Sequence, residues 1–292
     1  MVQERKLSSE NKQSAVSSSA KKVRLALFSC GLGAINRGFE ISTARFYRAI
    51  ANNEVLDARL FAGADYPGAR RVWCRGRNEW LKWPLKMLSF MEREKLWRLA
   101  YVLEQTSYSF GLIKESREVW QPDVVWTKEV PLAHVLYEFR RLSGNPYKII
   151  FANGGGFRPS TYQQFDHIQH LQPEAFEEAL DFGIPAEKMS VLPNVVPYVV
   201  PERGRSALRQ EYGYAPDDWI VISVAAWNRH HKRIDYLIEE MSALKDPKAK
   251  LLICGQPEPG SDDLQRLAFE KLGERVRFIT VAEGKVQELL AI

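Results

Sequence analysis

The sequence predicts an α/β protein of two doubly wound, parallel-sheet domains, the second of them incomplete. Three observations carry this. Short apolar runs, mostly rich in branched residues, alternate with longer segments whose apolar residues recur at helical spacing. Pro197 and Pro201 mark a linker that splits the alternation near residue 200. The chain has 292 residues, enough for two ordinary domains.

Residues 1–22 are rich in Ser, Lys, Glu and Gln and lack an apolar core segment. They read as a disordered tail, not a secretory leader. The first domain is expected over 23–200. Val23 to Ser29 (VRLALFS) is a strand, followed by Cys30-Gly31-Leu32-Gly33 and a helix with Ile41, Ala44, Tyr47, Ile50 and Ala51 inward. A strand, a glycine-rich turn and a helix open a βαβ unit, and glycines there let backbone approach a ligand. They do not form the dinucleotide fingerprint. The next glycine after Gly33 is Gly38, too late for GxGxxG, and no clear acidic residue closes the second strand, Ala58 to Ala62. An oxidoreductase using a nicotinamide cofactor is therefore disfavoured.

Residues 63–120 depart from the alternation. Arg70, Arg71, Arg75, Arg77, Lys82, Lys86, Arg93, Lys95 and Arg98 are interleaved with Trp73, Trp80, Trp83, Phe90 and Trp97. This basic-aromatic insert suits an interface with anionic lipid or a groove for a substrate. It also suits a helical subdomain with its aromatics in the core, the reading favoured because Trp is usually largely buried.

Alternation then resumes. Asp123 to Thr127 is a strand, Pro131 to Leu142 a helix, and Tyr147 to Ala152 a strand ending in Asn153-Gly154-Gly155-Gly156. Ligands of doubly wound sheets sit beyond the carboxyl ends of strands. The triple glycine is either a close-approach loop for substrate or a plain sharp turn. Asp166 to Gln169 is a short strand. A helix starts at Pro173, which suits its first position, and stops at Gly183. Met189 to Leu192 is the next strand, closed by Pro193-Asn194.

The second domain is expected over 201–292. Arg203 to Tyr212 is helical, and Trp219 to Ala225 is a strand. Lys250 to Cys254 is a strand ending at Gly255. Ser261 caps a helix with Leu264, Leu267, Ala268 and Leu272 on one face, stopped by Gly273. Val276 to Thr280 is a strand, and Gly284 to Ile292 starts one more helix. A doubly wound domain of ordinary size holds several more units, so this one reads as cut short.

The chemistry concentrates in VISVAAWNRHHKRIDYLIEEM, Val221 to Met241. It begins as a nearly continuous apolar run, as in a buried parallel strand. It ends as a helix with Ile234, Leu237, Ile238, Met241 and Leu244 on one face. Arg229, His230, His231, Lys232 and Arg233 lie between. Cations are unfavourable at a helix N-terminus, where backbone N–H groups already carry partial positive charge. A basic cluster there makes physical sense if a phosphate or diphosphate binds. The alternative is a solvated basic turn.

Composition bounds the rest. Hydrophobic residues make up 45% and charged residues 26%, with a formal net charge of +5 from intermixed signs. That permits anionic ligands without arguing for nucleic acid. The three cysteines, Cys30, Cys74 and Cys254, are far apart in sequence, which suggests a reducing compartment with no disulfide framework and no metal site. No apolar run is long enough to span a bilayer, and the expected setting is the cytoplasm.

These residues together resemble a family 4 glycosyltransferase of the GT-B fold, in which two Rossmann-like domains face a cleft. The resemblance runs from Val23 to Ile292. It rests on the first loop with RGFE (Arg37 to Glu40), Gly183-Ile184-Pro185 followed by VLPNVVP (Val191 to Pro197), SVAAWNRHHKRIDYLI (Ser223 to Ile238), LLICG (Leu251 to Gly255) and RVRFIT (Arg275 to Thr280). It implies transfer of a sugar from a nucleotide-diphosphate sugar, with retention of configuration and no bound metal or other cofactor. The family carries an Arg and a Lys in the second-domain opening loop to stabilise the departing diphosphate. Lys232 matches the Lys. The Arg position falls near Ala226, and Arg229 is the nearest replacement.

The resemblance places Gly31, Leu32 and Gly33 against donor phosphate and acceptor, and Gly255 against donor phosphate. It places Asn153, Gly154 and Gly155 on the acceptor side, where many members carry a His. His167 and His170, nearby, read as structural. The family's acidic pair, which contacts donor sugar and ribose, falls beyond Ile292. The implied partners are a nucleotide-sugar donor and a saccharide, lipid-linked or small-molecule acceptor, with peripheral membrane contact through the insert and no nucleic acid. The alternative is a non-catalytic binding fragment without the donor-side acids.

Overall fold

The computed structural model describes residues 21–35, 38–82, 87, 93–118, 120–196, 200–258 and 260–292. Most of the N-terminal tail, Arg37, Trp83, Lys86, Phe90 and Pro197 lie outside the described residues. The chain divides into two compact units, Met1–Val196 and Pro197–Ile292.

The first unit is built on seven parallel strands: β1 (Val23–Ser29), β2 (Leu56–Ala62), β3 (Ala69–Arg71), β4 (Val124–Thr127), β5 (Lys148–Asn153), β6 (His167–His170) and β7 (Met189–Val191). Their order is β3-β2-β1-β4-β5-β6-β7. Every pairing is parallel, with Phe28 opposite both Phe61 and Thr127. The order reverses between β1 and β4, which makes their carboxyl ends the topological switch point.

Alternation along the strands supplies both faces. Ala26, Phe28, Val125, Ile149 and Phe151 pack with α3 (Arg93–Glu118) and α4 (Val130–Ser143). Leu25, Leu27, Leu60 and Trp126 pack on the other face with α1 (Gly38–Ile50). A sheet covered on both faces explains near-continuous apolar strands. The indole N–H of Trp126, fully buried, donates to Gln169 Oε1 at 2.9 Å. Before β7, α5 (Pro173–Asp181) ends at Phe182, and Gly183 follows with φ of 100°.

The insert corrects the sequence reading in both directions. It contributes a short edge strand, β3, that the apolar pattern does not predict. Of the aromatics, Tyr108 enters the core beside Val72 and Leu112. Others stack on arginines: Arg75 lies 4.3 Å from the ring centre of Trp80, at α2 (Arg77–Lys82), and Arg77 lies 5.0 Å from those of Trp97 and Tyr101. Arg77 is itself buried, and its Nε donates to Glu104 Oε2 at 2.7 Å. Trp73 and Phe110 instead face solvent, at 66% and 62% exposure, so the expectation of aromatics gathered into a core fails for them.

The second unit has three parallel strands, β8 (Trp219–Val224), β9 (Ala249–Cys254) and β10 (Val276–Ile279), in the order β10-β9-β8. On one face α7 (Ile234–Ala243) and α8 (Ser261–Leu272) bury Ile234, Ile238, Met241, Leu264, Ala268 and Leu272 against Leu251 and Ile253. On the other, Leu208 of α6 (Arg205–Glu211) and Leu289 of α9 (Val286–Leu289) cover Leu252 and Cys254.

Four expectations change here. The strand at Val221 is not buried: β8 pairs only with β9 among the described residues, and Trp219 and Val224 are 63% and 49% exposed. Leu244 is the exposed residue that ends α7, because the helix stops at Ala243. Gly260, in the left-handed region, precedes α8 as its cap, so Ser261 is the first helical residue. Its hydroxyl instead donates to the carbonyl oxygens of Trp227 and Glu258. The final helix shrinks to one short turn, α9, after a 3₁₀ turn at Glu283–Lys285.

No helix among the described residues is long and apolar enough to cross a membrane.

Candidate functional site

At the switch point of the first unit, β1 runs into Cys30-Gly31-Leu32-Gly33. The loop curls back on itself: Ala34 N–H and Ile35 N–H donate to Gly31 O at 3.1 and 2.9 Å. Leu32 is buried in the core, and its carbonyl accepts from Ala64 N–H at 3.2 Å. Gly33 is exposed with φ of 88°, where a Cβ would meet Asp65 O at 2.6 Å. The loop therefore presents backbone at Gly33, and Leu32 anchors it from behind.

Around this loop lies a set of buried ionisable groups, of which only Glu40, in RGFE, belongs to a motif read from the sequence. Glu129, between β4 and α4, is 4% exposed, and both its carboxylate oxygens lie 3.0 Å from Cys30 N–H, which donates to them. Burial raises its pKa to about 8, the Cys30 N–H opposes the shift, and Glu40 and Glu104 add to it. Burial thus disfavours the charged form of Glu129. Glu40, in the first turn of α1, is buried against Gly31, where any side chain would collide with its carboxylate. Its Oε2 has no hydrogen-bond partner among the described residues.

Lys128, 3% exposed, donates from Nζ to Ser42 Oγ and Asn194 Oδ1, both at 2.8 Å, and lies 5.7 Å from the Trp126 ring centre. Burial lowers its pKa to about 8. The signal available in sequence was a charged pair, Lys128-Glu129, directly after a strand at the switch point. Charged residues are rarely buried unless partnered, so position and not residue type was the clue.

At the end of β5, Asn153 is buried. Its Oδ1 accepts Gly155 N–H at 3.1 Å, and its amide nitrogen lies 3.5 Å from His170 Nδ1. A Cβ at Gly154 would collide with the ring of Phe39, so the close approach made there is to α1. Gly155 and Gly156 follow with φ of 99° and 79°, as a sharp turn requires. His170 is fully buried, edge-on to Tyr162 and Phe176, and burial lowers its pKa. His167 contacts Ser190 Oγ at 2.9 Å, and burial lowers its pKa too. Both read as structural groups.

The basic cluster of the second unit sits on the loop between β8 and α7. Trp227 is buried, its N–H donates to Gln256 O at 3.1 Å, and Ser261 holds its carbonyl at 2.9 Å. Asn228 organises the basic stretch next to it. Its Oδ1 accepts the N–H groups of His231 and Lys232 at 3.0 and 2.8 Å, and its Nδ2 donates to Glu258 Oε2 at 2.9 Å. Arg233 then adopts φ 49° and ψ 44°, the one non-glycine residue with positive φ among the described residues.

The side chains of Arg229, His230, His231 and Lys232 are all exposed. No described carboxylate pairs with Arg229 or Lys232, whereas Arg233 Nε lies 3.5 Å from Asp235 Oδ1. With two of the loop's N–H groups already bound by Asn228, an anion here would be met chiefly by side-chain cations. Gly255 is packed so tightly on Ala225 that a Cβ would collide with its carbonyl, and both its backbone groups are engaged, with Ile279 O and Thr280 Oγ1. Its role in this geometry is to let β8 and β9 end side by side.

A groove of about 490 Å³ lies elsewhere, at the amino ends of β4, β5 and β6, lined by Val124, Lys148, Asp166 and His167 among others. It is the wrong end of the sheet for chemistry in this architecture. Among the described residues, no group of three or more His, Cys, Asp or Glu is placed to hold a metal.

No protein-family model matches the chain, and no curated protein matches its sequence. Solved structures do match. HepE of Anabaena in complex with UDP-glucose aligns with a TM-score of 0.61 at 14% identity, over 92% of this chain and 71% of that one. WaaG, a glycosyltransferase involved in lipopolysaccharide biosynthesis, aligns with a TM-score of 0.56 at 14% identity, over 91% and 72%. The lipopolysaccharide outer core galactosyltransferase WaaB in its apo form aligns with a TM-score of 0.50 at 17% identity, over 92% and 71%. Likeness at such identities speaks to fold alone, and the fold, with its seven-stranded and three-stranded parallel sheets, is GT-B; the chain spans about 71% of the length of the solved chains it matches.

Proposed function

We propose that the chain is the acceptor domain and part of the donor domain of a retaining glycosyltransferase that uses a nucleotide-diphosphate sugar. The observation that carries the reading is the exposed basic loop at the head of α7, in a fold shared with a protein solved with UDP-glucose bound. When the glycosidic bond to the donor breaks, the departing diphosphate gains negative charge. Lys232 and Arg229, free of carboxylate partners among the described residues, are the groups assigned to meet it. Asn228 holds the backbone of His231 and Lys232 in a fixed loop, so less order has to be gained on binding.

On the acceptor side, Gly33 and the turn at Asn153, Gly154 and Gly155 flank the switch point. Burial disfavours the charged form of Glu129, which lessens repulsion of a developing anion. The acceptor is a saccharide, a lipid-linked molecule or a small molecule. The exposed Trp73 and Phe110, with basic residues nearby in the chain, supply a surface for peripheral contact with a membrane.

The test is calorimetry with a panel of nucleotide diphosphates and nucleotide sugars. Base-selective binding is expected, and Lys232→Ala should weaken it and slow sugar transfer on the order of a hundredfold, about 2.7 kcal/mol of lost transition-state stabilisation. Unchanged turnover in the variant removes Lys232 from the mechanism. Binding of donor and acceptor with no transfer supports a binding role instead.

A further inference from the structure

Cys30 and Cys74, far apart in sequence, bring their Sγ atoms to 3.5 Å in the first unit, as free thiols. Cys30 closes β1 and is buried; Cys74 lies between β3 and α2 and is half-buried. Their neighbours make the two sulfurs unequal. Hydrogen bonding to Cys74, burial and the nearby Glu129 and Glu104 carboxyls raise the Cys30 pKa. Hydrogen bonds from Cys30 and Ser107 lower that of Cys74 against the opposing effects of burial and Glu104. The more accessible sulfur is therefore also the one that forms a thiolate more readily, the pattern of a redox-responsive pair.

We propose that Cys30 and Cys74 form a reversible disulfide when the protein meets a hydroperoxide, tying the glycine-rich loop after β1 to the insert. The Cys74 thiolate attacks one peroxide oxygen, the O–O bond breaks, and Cys74 becomes a sulfenic acid while hydroxide departs. Cys30 sulfur then attacks Cys74 sulfur, the S–O bond breaks, and the leaving hydroxide takes the Cys30 proton as water. Two thiols lose two electrons, and hydrogen peroxide gains them to give two waters. The sulfurs must close from 3.5 Å to about 2.05 Å, a local adjustment. The link would fasten a loop whose Cys30 N–H is held by Glu129 to a segment anchored on α3, where Cys74 Sγ lies 3.6 Å from Glu104 O. In a reducing compartment such a bond is transient and responsive, not structural. The proposal does not rest on the transferase reading.

The experiment treats the folded chain with a few equivalents of hydrogen peroxide, blocks remaining thiols by alkylation and maps peptides without reduction. A linked Cys30–Cys74 peptide is expected, with Cys254 still alkylated and both thiols recovered after dithiothreitol. In Cys74→Ser, Cys30 should stay alkylatable at the same peroxide dose. Three results would each overturn the proposal: all three thiols left free, Cys74 driven to sulfinic acid with Cys30 reduced, or a link only to Cys254. The wild-type map decides it even if the variant folds poorly.

Discussion

After β1 the chain turns into α1 with its acid, Glu40, buried, and with Lys128 and Glu129 drawn in from the neighbouring β4 loop. After β8 it turns into α7 with Arg229, His230, His231 and Lys232 all in solvent. Both are a parallel strand, a loop and a helix. The difference lies in what stands beside each strand. β1 is paired on both sides, so its loop is enclosed; Lys128 and Glu129 find hydrogen-bond partners inside the protein, and burial disfavours their charged forms. β8 is paired on one side among the described residues, so the side chains of its loop stand in solvent, open to a ligand. One opening is built for shape and neutrality, the other for charge.

The largest effect that could break this comparison is a pH effect on stability. Glu129 has a folded pKa of about 8 against an ordinary value of 4.5. Between those values the folded state binds the extra proton, so the contribution of Glu129 is fully present below 4.5 and is lost as pH rises through 8. Lys128, lowered to about 8 from 10.5, acts in the next window: there the unfolded state binds the extra proton, and stability rises with pH. Together these two groups put a local minimum of stability near pH 8. The limiting slope is about 1.4 kcal/mol per pH unit. In denaturant titrations, Glu129→Gln should gain on wild type by a few kcal/mol between the acid and alkaline ends of its window. A gap that does not change with pH would mean that Glu129 is charged at neutral pH and that the first opening is not built for neutrality.

The sequence made the sheet legible and left its loops half-read. Strand after strand falls where apolar runs predict, because a sheet covered on both faces needs apolar residues throughout. Lys128 and Glu129 escape the sequence because local pattern does not report burial: the same two residues on an exposed loop would look identical. Residue type assigns Trp73 to a core, and type alone does not say which face of the insert meets solvent. Cys30 and Cys74 look unrelated because β3 and the start of the insert return to the end of β1 only in three dimensions. Arg229 and Lys232 are visible because a basic run before an amphipathic helix is a local conflict, and local conflicts survive in sequence.

A smaller effect tests how the second opening holds its shape. Asn228→Ala removes the acceptor for the N–H groups of His231 and Lys232 and the donor to Glu258. The expected loss is about 1–2 kcal/mol of stability, as for other side-chain caps of backbone N–H groups. Nucleotide diphosphate binding should weaken with it, since Lys232 would no longer start from a fixed loop. A variant that loses stability and binds equally well would show that the cations need proximity but not order.

The smallest effect separates charge from geometry at Arg233. Its left-handed backbone costs a non-glycine residue about 1–2 kcal/mol, while glycine costs about 0.5–1 kcal/mol in lost chain freedom. Arg233→Gly should therefore stabilise the protein by about 0.5 kcal/mol, a gain readable as a raised denaturation midpoint. Its charge is already spent on Asp235, with Nε 3.5 Å from Oδ1, and its guanidinium lies 5.7 Å from the Tyr236 ring centre. Nucleotide diphosphate affinity should consequently hold in this variant while it falls in Lys232→Ala. If Arg233→Gly stabilises the fold and also loses affinity, the strained residue belongs to the anion site. The exposed cluster would then act as one charged surface extending to the first turn of α7, with the strain at Arg233 serving to turn its side chain toward the ligand.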